Sequence, residues 1–295
     1  MTLLDVIDVD ALLGESPLWD GRVGLLYWID IHGERLGVLE AASGDWTTWP
    51  TDGRFGSIAL TSTPGRLLAA TAAGIVMVTV AADGLRALTP IADPERSIPG
   101  NRFNDGKTDR QGRFWAGTMD DEEVGRTGAM YRVEPPGVIA AMWKGVGIPN
   151  GIAFSPTGDR MYTADSMDRM IWVANYDGRD GVPAPRRLFA RIQHPGAPDG
   201  STVDADGHLW NAEWGAGRVT RYAPDGTVAG VLEVPVSQPT CVAFGGSELD
   251  LLFVTSAQVG GDGGAHGGSI LIYRLDMPGV PETPFPLVGR EAGSA

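Results

Sequence analysis

Glu15, Asn104, Asn150 and Asp199 carry the side chains in this 295-residue chain whose types and spacing point most directly to chemistry. Each opens a segment of one pattern: a polar residue, alternating apolar positions, a turn with Gly or Asp, then an aromatic or aliphatic strand. The four segments begin ESPLWDG, NDGKTDR, NGIAFSP and DGSTVDA. Two carboxylates and two carboxamides offer hard oxygen donors of the kind that cage a divalent cation. Two like charges brought close repel unless a cation lies between them, a physical reason to expect one. Singly, Asn150-Gly151 and Asp199-Gly200 are ordinary turn dipeptides, as are Asp83-Gly84, Asp177-Gly178, Asp206-Gly207 and Asp225-Gly226. What separates the first group is register. Ligand-type residues recur at one equivalent position of a repeat.

Positioning such residues requires elements that bring distant segments to one point. Two further segments share the pattern, GSIALTS from Gly56 and TCVAFGG from Thr240, so six anchors follow one another at intervals of 41–49 residues. Within each unit the apolar positions alternate, bounded by Asp, Gly, Pro and Ser, which signals strand–turn–strand. Further short strands are predicted over 128–133, 170–175, 218–223 and 270–275. Three to four strands per unit of this length mark a propeller blade. The expected fold is therefore all-β, one six-bladed β-propeller domain spanning 1–295, with residues 3–13 adding a strand that closes the last blade. Residues 159–177 contain no Gly or Pro and could line a helix face, but the other units place a turn near 165–168, so strands are expected. Residues 260–268 read as a Gly-rich loop inserted in the last unit.

In such a ring the inner strands run the same way along a central channel, and the residues just before them converge on one mouth. Arg102 is expected at that mouth, able to hold a hydroxyl- or carboxylate-bearing substrate by forked hydrogen bonds, or else paired on the surface with Asp105 or Glu95. The acidic run at 120–123 follows a strand returning to the same mouth, so one of its carboxylates is expected to reach the pocket. Other chemistries find little support. There is no Gly-x-Ser-x-Gly elbow, and His32, His194, His208 and His266 form no zinc-type pair. Cys241, the only cysteine, is apolar-flanked and reads as a core residue; Trp28, Trp115 and Trp210 read as packing between blades.

Composition bounds the class and the partners. Gly 42 and Pro 21 in a chain that is 43% hydrophobic, with nine tryptophans, exclude both disorder and a long-helix bundle. A net charge of −14 argues against nucleic acid and anionic membranes as partners. The longest apolar stretch, 67–82, is interrupted and too short to span a bilayer, and the first ten residues carry no basic n-region. The reading is a soluble cytoplasmic protein that meets a small molecule and a metal ion.

The motifs Gly14-Glu15-Ser16-Pro17 with Trp19, Arg102-Phe103-Asn104-Asp105-Gly106-Lys107 through Ala116-Gly117-Thr118-Met119, Pro149-Asn150-Gly151 with Phe154-Ser155, and Pro198-Asp199-Gly200 span nearly the whole chain. In order and content they resemble the family of senescence marker protein (regucalcin) and gluconolactonase. The resemblance implies one divalent cation on Glu15, Asn150 and Asp199, and hydrolysis of sugar-acid lactones with Asp199 as acid/base. It further implies substrate contacts from Arg102, Asn104 and Glu122. The ion could be Ca²⁺, Mg²⁺, Mn²⁺, Zn²⁺ or Fe²⁺, since two carboxylates and an amide accept each. Two other classes stay open: hydrolysis of organophosphates or other esters on the same scaffold, and a calcium-binding module without turnover.

Overall fold

The computed structural model describes residues 1–261 and 263–287, so Asp262 in the Gly-rich loop and the last eight residues of the 1–295 span lie outside the described residues. Nearly every element is a strand, and the strands form six antiparallel sheets. The first blade runs outward through Gly14–Asp20, Leu25–Asp30, Arg35–Glu40 and Trp46–Pro50. The other five start from inner strands Phe55–Leu60, Asn101–Thr108, Pro149–Phe154, Ala197–Val203 and Pro239–Gly245. Each inner strand contacts the next, and the last contacts the first, so the six blades close a ring. Thr2–Asp8 pairs antiparallel with Ser269–Arg274 as the outermost strand of the sixth blade.

Alternation explains the packing. Each sheet has two apolar faces, and every blade junction holds one apolar cluster built from both neighbours. Trp19, Leu26 and Trp28 of blade 1 meet Phe253 and Ile270 of blade 6, and Trp210 of blade 5 meets Phe244 and Leu252 of blade 6. Trp28, Trp115 and Trp210 are all essentially fully buried, each contributing about 2–3 kcal/mol through the area it removes from water. The fit is close: a Cβ on Gly37 would lie 2.1 Å from the Trp28 ring. The doubtful stretch at 159–177 is two strands, Arg160–Asp165 and Met170–Asp177, joined by a turn. Met161 enters the cluster toward blade 3 while Tyr162 and Ala164 face blade 5, the two-residue period of a strand buried on both faces.

One refinement bears directly on the site. The anchors lie inside the inner strands, not just before them, and in all six blades the ladder slips next to the anchor. The register shifts fall at Glu15/Leu18, Phe55/Ser57, Phe103/Gly106, Asn150/Ala153, Pro198/Ser201 and Pro239/Val242. A β-bulge leaves a residue unpaired and re-aims its side chain. In blades 1, 3, 4 and 5 the slip falls beside the anchor that lines the cavity.

The opposite end of the ring is tied shut by residues 278–287. Gly279 bridges Asp204, Lys107 Nζ donates to Glu282 Oε1 at 3.2 Å, and Phe285 bridges Thr61. Access to the axis is therefore from the anchor side.

Candidate functional site

A cavity of about 270 Å³ opens at that mouth, and Glu15, Asn104, Asn150 and Asp199 all line it, with Arg102 beside them. Of the six anchors, two stay out for steric reasons. Gly56 has no room for a side chain, since a Cβ would come within 2.3 Å of the Phe103 carbonyl oxygen. Thr240 turns its hydroxyl into the wall, donating to the Gly14 carbonyl and contacting Thr255.

The side chains are held by a relay that crosses three blades. Arg102 Nη1 donates to Asn104 Oδ1 at 2.7 Å; Asn104 Nδ2 donates to Asn150 Oδ1 at 3.2 Å and to the Pro149 carbonyl at 3.0 Å. Asn150 Nδ2 donates to Ser166 Oγ at 2.8 Å, and Ser166 Oγ donates to the Pro198 carbonyl at 2.6 Å. The Asn150 amide is thereby held at both ends, between Asn104 and Ser166. Arg102 is buried, and its partner is neither Asp105 nor Glu95: Nε donates to Asp121 Oδ1 at 2.8 Å. Arg54 grips both oxygens of Asp121 from the second blade, at 2.6 and 2.8 Å.

Electrostatics single out three buried carboxylates: Glu15, Asp105 and Asp199. Burial and the charge of Asp105 push Glu15 up to about 8, although the Ser16 N–H donates to it at 2.7 Å. Burial, Glu15 and Asp105 together push Asp199 well above the carboxylate range. Burial likewise raises Asp105, whose Oδ2 accepts the Ile152 N–H at 2.8 Å. Among the described residues no lysine or arginine forms an ion pair with any of the three. Cys241 is buried beside them with its thiol pushed far up, first by burial and then by Glu15, which suits a packing residue and not a nucleophile.

The cavity wall contains Glu123, and Glu122 is not part of it. The cause is local: Asp120 accepts the Glu122 N–H at 3.2 Å and the Gly125 N–H at 2.7 Å, and Glu123 takes a left-handed conformation, φ 58°. That kink turns the second glutamate of the pair inward. Residues the sequence reading passed over complete the wall: His32, Ser166, Trp214 and Val259. All follow or end the second strand of their blades, as Glu123 does.

Among the described residues, one group of three potential ligand side chains lies within 4.8 Å, Asp204, Asp206 and His208, at the far end of the fifth inner strand. Its central carboxylate is already engaged. Asp204 accepts from Arg221 at 2.7 Å and from Trp210 Nε1 at 3.0 Å, so it serves the fold.

A six-bladed propeller with an oxygen-lined axial cavity is the class that fold and site define. The chain belongs to the family described as SMP-30/gluconolactonase/LRE-like region, whose sequence model matches residues 13–258. It is 37% identical to an L-arabinolactonase of Azospirillum brasilense, covering 94% of this chain and 93% of that one. It is 36% identical to a pentonolactonase of Haloferax volcanii, covering 96% and 97%. Among solved structures, the calcium-binding protein regucalcin of Agrobacterium tumefaciens superposes with a TM-score of 0.89 at 32% identity, covering 96% and 97% of the two chains.

Proposed function

We propose that this protein hydrolyses sugar-acid lactones to aldonic acids with the help of one divalent cation held by Glu15, Asn150 and Asp199. The observation that carries the reading is the convergence on one cavity of two pinned carboxamides and two buried carboxylates that have no ion-pair partner among the described residues. The donor set fits the ion: burial holds both acids away from their charged forms, and a hard cation with oxygen preference reverses that penalty. The lactone-hydrolysing relatives named above support the substrate class.

A bound divalent cation would polarise the lactone carbonyl and stabilise the negative charge that develops on its oxygen. The chain's own groups do the rest. Asp199 takes the proton of the attacking water and returns it to the ring oxygen as the ester bond breaks. Arg102 and Asn104 hold the sugar hydroxyls, Arg102 fixed in orientation by Asp121. Ile31, Met119, Ile148 and Trp214 give the cavity an apolar side for the C–H faces of the ring.

The test is a pH-indicator assay over a panel of aldonolactones, on chelated protein and with each divalent cation added back. Turnover that returns with the cation and is lost in Asn150→Ala and Asp199→Ala is the expected result. Turnover independent of cation, or unchanged in both variants, would end the reading. A phosphotriester in the same panel separates the other ester hydrolases, and cation binding without any turnover would leave the calcium-binding module.

A further inference from the structure

The charges around the cavity leave no positive excess, since Asp105 also lies buried beside Glu15 and Asp199 with no ion-pair partner among the described residues. Arg102 and Arg54 share a single carboxylate, Asp121, which leaves one positive charge over. Glu123 supplies the matching negative charge from the wall, close enough to act on both Arg102 and Asp199. His32, on the same wall, adds none: partial desolvation and the charges of Arg102 and Arg54 push it toward the neutral form. With a dication against Glu15 and Asp199, the site holds no uncompensated positive charge to receive an anion. Arg102 Nε and Nη1 are engaged by Asp121, Asn104 and the Phe103 carbonyl, so its guanidinium can hold a hydroxyl but cannot grip a carboxylate with two prongs. Glu123 reaches this place through a left-handed backbone conformation, unfavourable for a residue with a Cβ. The loop holds it there by a hydrogen bond from the Glu123 N–H to the Asp120 carbonyl and by the two backbone N–H groups on the Asp120 carboxylate. Strain retained at a cavity wall points to use.

We infer that Glu123 is the charge-selecting residue of the cavity, keeping it for uncharged polyhydroxy lactones and excluding lactones that carry a second, anionic substituent. This rests on the lactonase reading and deepens it. A neutral sugar finds in Glu123 an acceptor for a hydroxyl. A substrate with a carboxylate or sulfonate at that end meets a like charge and no guanidinium able to grip it with two prongs. Glutamine keeps the acceptor and removes the charge.

A matched pair of substrates tests this: the γ-lactone of gluconic acid and that of glucaric acid, which differ by a carboxylate in place of the terminal hydroxymethyl group. The kcat/KM ratio is measured for wild type, Glu123→Gln and Glu122→Gln, with thermal melting to confirm the fold of each. Wild type should favour the uncharged lactone by about tenfold or more, and Glu123→Gln should shrink the ratio about fivefold, mainly by lowering KM for the charged one. Raised salt should shrink it in wild type as well. A ratio unmoved in Glu123→Gln, or moved instead by Glu122→Gln, overturns the inference while leaving lactone hydrolysis standing. Failure of the wild type to hydrolyse either lactone overturns both.

Discussion

The two ends of the inner strands carry the same residue type in the same burial and treat it oppositely. At the far end, Asp20, Asp109 and Asp204 follow or end the inner strands of blades 1, 3 and 5, each with no exposed surface. Every one has a guanidinium: Arg22 at 2.7 Å, Arg113 at 3.1 Å and Arg221 at 2.7 Å. At the near end Glu15, Asp105 and Asp199 are buried almost as deeply and have no ion-pair partner among the described residues. A buried charge is costly unless it is paired. The far acids are completed by the chain itself and stabilise turns. The near acids are left incomplete, and their energetic cost is what a cation would relieve.

Removing members of the two sets should break different things. Asp199→Asn is expected to lower kcat by about 10²–10⁴-fold, the usual range for losing an acid/base group, with the fold intact. Steady-state kinetics beside circular dichroism decide it. Asp204→Asn should do the reverse, costing about 3 kcal/mol or more by leaving Arg221 without its buried partner, as read from denaturant unfolding. If Asp199→Asn unfolds the protein while Asp204→Asn is silent, the contrast between the ends is false.

The same comparison predicts a pH signature. In the folded, chelated protein Glu15 holds its proton up to about pH 8, whereas in the unfolded chain it loses it near 4.5. Between those values the native state binds more protons, so stability should fall as pH rises, by about 1 kcal/mol per pH unit for each proton retained. Above pH 8 the decline should level off. Saturating divalent cation should flatten the slope by holding the carboxylates ionised. Melting temperatures from pH 5 to 8.5, with chelator and with cation, measure this, and a chelated protein that gains stability with pH would contradict it.

The smallest effect concerns the relay. Ser166→Ala frees the Asn150 amide and should weaken cation affinity about tenfold, the lower range for losing a hydrogen bond behind a ligand. Calorimetric titration of the cation reports it. Affinity equal to wild type would mean that Asn150 is positioned by Asn104 alone.

Much of this site was legible because the inner strand repeats. Glu15, Asn104, Asn150 and Asp199 could be aligned without a structure, since a strand with alternating apolar residues has a register and a register has equivalent positions. Asp121 as the partner of Arg102 was not legible. Within the run 120–123 four acidic side chains look alike, and only the turn made by Asp120 separates the one that holds Arg102 from the one on the wall. That Glu123 and not Glu122 lines the cavity was illegible for the same reason: a left-handed residue inside a loop has no periodic signature. His32, Ser166 and Trp214 were missed because their loops differ in length and composition from blade to blade.

Alternation of apolar and polar residues, the spacing of the anchors and the burial of the tryptophans are local or periodic properties, and the chain alone determined them: six blades, and the side of the ring on which the polar anchors meet. Which charges are satisfied is a matter of distance between segments far apart in sequence. The pairing of Arg54 and Arg102 on one aspartate, the inward turn of Glu123, and the absence of an ion-pair partner for Glu15 and Asp199 among the described residues were decided only when the ring closed. Coulomb and hydrogen-bond energies depend on separations of a few ångströms that no one-dimensional pattern encodes.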